Sequence, residues 1–160
     1  IYRSGLRWAA PSILIALGLW GWVFGGMAAV LDSTIAINQV THNTMWVPAH
    51  FHTYYLLGVA SFTWAYLFYL IGDLSKLRAK SFSKIAAWLY GLGAVGFVLM
   101  FYFAGGHSIP RRFATYLPDW NIYAQIAVPF VVLLAFSLLW LSAEMVRGLK
   151  RAWRATMAES

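Results

Sequence analysis

Four long apolar runs dictate what this chain can fold into. They extend roughly from Trp8 to Leu31, Met45 to Ile71, Ile85 to Ala104 and Ile122 to Met145, and charge is missing from their interiors. Each exceeds or reaches the about 20 apolar residues that a helix needs to cross a hydrocarbon core. Only a helix or a closed barrel satisfies the backbone in lipid, and runs of this length are helical. Trp and Tyr gather near several ends, as anchoring at a membrane surface requires. The expected fold is therefore all-α, a polytopic membrane protein with four transmembrane helices. With 61% hydrophobic and only 11% charged residues, a 160-residue chain is too apolar for a soluble domain. It has no cysteine, which excludes disulfides, thiolate metal sites and cysteine nucleophiles. Any metal must be held by His, carboxylate or Met.

The net charge of +7 belongs to topology rather than to nucleic-acid binding, because the basic residues lie between the apolar runs. Arg3, Arg7, Lys76, Arg78, Lys80, Lys84, Arg147, Lys150, Arg151 and Arg154 fall on one side of the expected bundle, and only Arg111 and Arg112 on the other. The positive-inside rule then makes both termini and the Asp73–Lys84 loop cytoplasmic, with the Asp32–Thr44 and Gly105–Asn121 loops outward. The membrane is bacterial or archaeal cytoplasmic, or an organelle equivalent. Residues 1–146 form the four-helix portion, and 147–160 a solvated basic tail of helical character. The chain opens on Ile1 without a signal-peptide pattern, as part of something longer or a processed product would. An adjacent arginine pair in a translocated loop implies an anionic partner.

His50-Phe51-His52 lies inside the second run. Intramembrane histidines are costly to bury unpaired and are functional candidates. At about 100° per residue, positions 50 and 52 point roughly 200° apart, so the two cannot ligate one metal but can serve two cofactors on opposite sides. Ala49, Phe51, Tyr54, Tyr55 and Gly58 around them suit flat macrocycles packed on the helix. The plainer alternative is a pair of packing histidines. The remaining histidines, His42 and His107, sit in outward loops, too few for a three- or four-ligand copper or zinc site within the chain. The other runs hold no histidine, so this chain offers one axial ligand per heme.

The segment Val40-Thr-His-Asn-Thr-Met-Trp-Val-Pro-Ala-His-Phe-His52 resembles part of subunit I of heme-copper terminal oxidases, in wording closest to the B-type branch. Ile109-Pro-Arg-Arg-Phe113 with Leu117-Pro-Asp119 resembles that subunit's Pro-Arg-Arg motif, in the same order. The resemblance covers essentially the whole chain and implies the last four of twelve core helices. It implies two hemes, with His50 the ligand of the high-spin heme iron, His52 a ligand of the low-spin heme iron, and Phe51 between the hemes. Arg111 and Arg112 would meet heme propionates, the anionic partner the topology requires, through charge-assisted contacts. His42 would lie in the propionate and proton-exit region. Asn38 stands where the family often has aspartate, and an amide cannot take up a proton as a carboxylate can. Asn43 replaces an aspartate that helps bind magnesium in the A-type branch, so no such ion is expected.

By the same resemblance the three-histidine copper site and the second low-spin ligand lie outside this sequence, so no catalytic copper ligand is in this chain and alone it should be inactive. The implied activity is electron transfer from the low-spin heme to a high-spin heme and copper site that reduces dioxygen to water, coupled to proton translocation. The implied partners are the remaining subunit I helices, a subunit II-like copper or donor subunit, the lipid bilayer, and a cytochrome c, blue-copper protein or quinol donor. Two alternatives stand beside this. One is a nitric oxide reductase-like enzyme with non-heme iron in place of copper; the other is a cofactor-free membrane assembly or transport subunit in which His50 and His52 only pack.

Overall fold

The computed structural model describes residues 8–74, 82–114 and 117–159. Arg3, Arg7, Lys76, Arg78 and Lys80 of the charge argument lie outside the described residues. Helix α1 (Ala10–Ser33) starts with Pro11 in its first turn, where the missing N–H is no loss. It is followed by the short α2 (Ile35–Thr41). The second crossing is α3 (Trp46–His52), a π-helical segment (Thr53–Ala60) and α4 (Ser61–Leu74) in unbroken succession. Helix α5 (Lys84–Gly106) is capped by Ser83, whose Oγ accepts the Ala86 amide at 3.3 Å. After a 3₁₀ turn at Pro118–Trp120, α6 runs from Asn121 to Glu159 with Pro129 inside it. Four helical stretches are long and apolar enough to cross a membrane: Ala10–Ser33, Trp46–Leu74, Lys84–Gly106 and Pro118–Met157. The four runs read from the sequence each fall in one of them, apart from one or two residues at the starts of the first two. The chain is a four-span part of a polytopic helical bundle.

Small residues let these helices approach closely, which is how apolar helices associate when lipid offers no hydrophobic contrast. Gly18, Gly21, Gly25 and Ala28 form the buried face of α1. A Cβ on Gly21 would stand 2.5 Å from the Leu57 carbonyl carbon, so α1 rests directly on the backbone of the π segment. On α5, Gly93 lies against the Leu134 backbone and Gly96 against the Phe130 ring of α6. The π segment shifts hydrogen bonding out of the i→i−4 pattern. Its Leu56 carbonyl accepts the Tyr90 hydroxyl at 2.5 Å and Ser61 Oγ at 3.3 Å, which ties α5 to the second crossing.

Packing is uneven along the bundle. The buried cluster draws on Ala10, Ile13 and Leu14 of α1, Phe68 and Ile71 of α4, Phe82, Ala86 and Tyr90 around the start of α5, and Leu141 of α6. All of these lie toward the end opposite His50. Large side chains face outward along the whole length, Tyr69 (72% exposed) and Leu139 (71%) toward that end and Phe51 (58%) near the histidines. Helix α6 continues past the end of α4 without a break, so the basic stretch from Arg147 prolongs the fourth crossing.

Replacing Gly21 by Leu should destabilise the detergent-solubilised protein by about 1–3 kcal/mol or more, read as a lower unfolding temperature, since no side chain can enter between α1 and Leu57. Gly26→Ala is the control. Its Cβ would meet only the Tyr54 hydroxyl, at 3.7 Å, and the unfolding temperature should hold or rise.

Candidate functional site

The second crossing begins where two loops are joined. Thr44 and Pro110 form an isolated antiparallel bridge, with the Met45 amide donating to the Ile109 carbonyl at 2.9 Å and the Arg111 amide to the Asn43 carbonyl at 2.9 Å. The side chain of Thr44 adds an N-terminal bond to the Trp46 amide at 3.2 Å. Gly105 packs against the Trp46 backbone at a contact where no Cβ fits. These contacts hold the start of α3 against the end of α5 and fix Arg111 beside the N-terminal end of the helix that carries the histidines. Arg112 has φ 65°, a left-handed conformation uncommon outside glycine. There the chain turns, leaving Arg111 half-buried and Arg112 exposed.

The two imidazoles diverge as the helical spacing requires. His52 faces α5, its ring 5.7 Å from Phe97 and 5.5 Å from Phe101 in edge-on arrangements. Its Nδ1 is 2.7 Å from the Pro48 carbonyl oxygen, one turn back. A carbonyl can only accept, so in the neutral ring Nδ1 carries the proton and Nε2 presents its lone pair. His50 faces α1 instead, with Nδ1 3.3 Å from Asp32 Oδ2 and the ring 5.3 Å from that of Tyr54. Its Nε2 is buried and meets no hydrogen-bond partner among the described residues. Phe51 stands between them in sequence and stacks on Tyr55, with centroids 5.6 Å apart. Below the histidines, Thr53 Oγ1 bonds the Ala49 carbonyl at 2.8 Å and meets the Tyr102 hydroxyl of α5 at 3.1 Å.

Four buried polar side-chain atoms lack partners among the described residues: Asp32 Oδ1, Trp46 Nε1, His50 Nε2 and Arg111 Nε. All four belong to this end of the bundle. Leaving such an atom unsatisfied costs on the order of 1–3 kcal/mol, so their concentration sets this end of the bundle apart. The donors and acceptors left over are an imidazole nitrogen, a guanidinium, an indole N–H and a carboxylate oxygen. No three His, Cys, Asp or Glu side chains converge as a metal cluster among the described residues.

His42 is exposed at the end of α2 and approaches neither His50 nor Arg111 through any hydrogen bond in the described structure. Asn38 does not face His42 through its side chain. Its Nδ2 donates to the Asp32 carbonyl at 2.7 Å, fastening α2 to the end of α1. Three participants escape sequence reasoning. Pro48 lies one helical turn before His52, a spacing visible in the sequence. Asp32 and the Thr53–Tyr102 pair meet their partners across helices, which no local pattern encodes.

A family model described as cytochrome c and quinol oxidase polypeptide I matches residues 1–143. The chain belongs to this family. The cytochrome c oxidase subunit 1 of Thermus thermophilus is 30% identical over 79% of this chain and 23% of its own length. Cytochrome c oxidase polypeptide 1 of Halobacterium salinarum is 26% identical over 88% of the chain and 24% of its own. A solved structure of a heme-copper terminal oxidase dimer superposes with a TM-score of 0.70 at 25% identity, over 85% of this chain and 26% of that one. The chain thus spans about a quarter of the length of these oxidase polypeptides.

The loop bridge carries a prediction for hydrogen exchange. The Met45 and Arg111 amides should be protected at least about tenfold over unstructured peptide rates, corresponding to about 1.4 kcal/mol of opening free energy. Exchange at the peptide rate would mean that the loops are not joined.

Proposed function

We propose that this chain is the heme-holding part of the catalytic subunit of a respiratory terminal oxidase, with His50 the axial ligand of the high-spin heme and His52 of the low-spin heme. The observation that carries the reading is the pair of diverging imidazoles, each with Nδ1 next to an acceptor and Nε2 left for a ligand. The residues fit that group. A buried, unpartnered Nε2 on His50 is costly in a protein that binds nothing there and natural in one that binds iron. Arg111, with Nε buried and unpartnered, supplies the donor that a propionate would accept from, and Arg112 follows it at the rim.

Hemes bound here would supply one-electron transfer and, with copper held elsewhere in the enzyme, reduction of dioxygen to water. The protein's own part is positional and electrostatic. Pro48 fixes the His52 tautomer, and Phe97 and Phe101 restrict the rotation of its ring. Phe51 keeps an apolar surface between the two imidazoles, and Arg111 places positive charge at the outward edge. His42, exposed on the same edge, is assigned to the proton-exit region. The pattern His-Asn-Thr-Met-Trp-Val-Pro-Ala-His-Phe-His supports membership in the B-type branch. The remaining subunit I helices, a copper-bearing or donor subunit and a cytochrome c, blue-copper or quinol donor complete the machine. In that assembly residues 147–160 and both termini lie on the cytoplasmic side, and protons move outward.

In the purified intact enzyme, His52→Ala should abolish the low-spin heme signal in a reduced-minus-oxidised spectrum and leave membrane insertion intact. Survival of that signal would remove His52 from its role, and a native enzyme without heme absorbance would leave the cofactor-free reading standing. Arg111→Gln should lower the heme reduction potential by about 59 mV for each tenfold loss of preference for the reduced state, measured by spectroelectrochemical titration.

A further inference from the structure

We propose that Asp32 is the anionic partner of His50, accepting the imidazole Nδ1–H so that Nε2 becomes a stronger donor to the iron than the Nε2 of His52. This inference rests on the assignment of His50 as an axial ligand and adds a positioning residue to it. Asp32 is the penultimate residue of α1. A carboxylate there faces the negative end of the helix dipole, which disfavours it by about 0.3–1 kcal/mol. Such a placement needs compensation, and the side chain is only 17% exposed.

Among the described residues, His50 is the side chain at ion-pair distance from it, with Nδ1 3.3 Å from Oδ2. That is just beyond the ordinary hydrogen-bond range, and contacts of this kind tighten when the ligand binds. The backbone under Asp32 is already fixed. Its carbonyl accepts Asn38 Nδ2 at 2.7 Å, and the Thr34 amide closes the helix end on the Leu31 carbonyl at 3.1 Å. The backbone that carries the carboxylate is thus held by α2, independently of any cofactor.

The consequence is an asymmetry between two histidines that the sequence presents as alike. His52 gives its Nδ1–H to a neutral carbonyl, whereas His50 gives its own to a carboxylate. An anionic acceptor draws the Nδ1 proton away, raises electron density at Nε2 and stabilises the more oxidised iron. At an oxygen-reducing site that added electron density favours cleavage of the O–O bond, as an anionic axial ligand does in other hemoproteins.

The test uses the intact oxidase carrying Asp32→Asn. The amide still accepts a hydrogen bond but has no charge. The iron–histidine stretching frequency of the ferrous high-spin heme, read by resonance Raman, should fall. The potential of that heme should rise by about 59 mV, the equivalent of a tenfold shift in ferric over ferrous preference, with heme content and the low-spin spectrum unchanged. An unshifted frequency and potential would overturn the pairing. Asp32→Glu, which keeps the charge and moves the carboxylate by one methylene, should give a smaller shift in the same direction. It decides the matter if the amide variant does not accumulate, and no shift there overturns the pairing as well. His50→Ala separates the two claims: loss of the iron–histidine band upholds His50, and its survival defeats the assignment of His50 together with the role of Asp32.

Discussion

Two backbone hydrogen bonds, between Met45 and Ile109 and between Asn43 and Arg111, fix the geometry on which the candidate site depends. Helices in a bilayer are free to slide and rotate against one another unless close contacts or polar bonds prevent it. Joining the loop before α3 to the loop after α5 sets the height of one helix relative to the other. The Trp46 backbone is then pressed onto Gly105, and His52, a turn and a half further on, arrives between Phe97 and Phe101. The same bonds bring Arg111 beside the N-terminal end of the histidine-bearing helix although about sixty residues separate it from the histidines in sequence.

Much of this geometry is legible in the amino-acid sequence alone. Four apolar runs without internal charge can become only membrane-crossing helices, and the divergence of His50 from His52 follows from the helical repeat. What the sequence does not reveal is whatever depends on contact between helices. Asp32 reads as the first residue of a loop and proves to be near the end of α1, turned toward His50. Asn38, which reads as the place of a missing proton acceptor, spends its amide on the Asp32 carbonyl. The π segment is equally hidden. Within it α1 lies on Leu57 and Tyr90 reaches across to Leu56, contacts that leave no periodic trace.

The two ends of the bundle differ in how their buried polar atoms are satisfied. Toward Ala10 and Leu141 the helices bury aromatic and aliphatic side chains against one another. Toward His50 they leave buried polar atoms that meet no partner among the described residues. A chain that matches about a quarter of an oxidase polypeptide has reason to be built this way. One end is held together by apolar contact, and the unpartnered polar atoms gather at the other.

Helix α6 is 39 residues long, about 58 Å, nearly twice the thickness of a hydrocarbon core. Its surplus carries Arg147, Lys150, Arg151 and Arg154 immediately beyond the apolar stretch. Sliding the helix by one turn in the direction of its N-terminus would draw Arg147 into the acyl layer, at a cost of about 2.5–3.5 kcal/mol for a charge that reaches the centre and less near the surface. The cationic overhang therefore acts as a depth stop. Because α6 is packed along α5 through Gly93 and Gly96, and α5 is tied to α3, this stop also sets the depth at which the two histidines are held in the membrane.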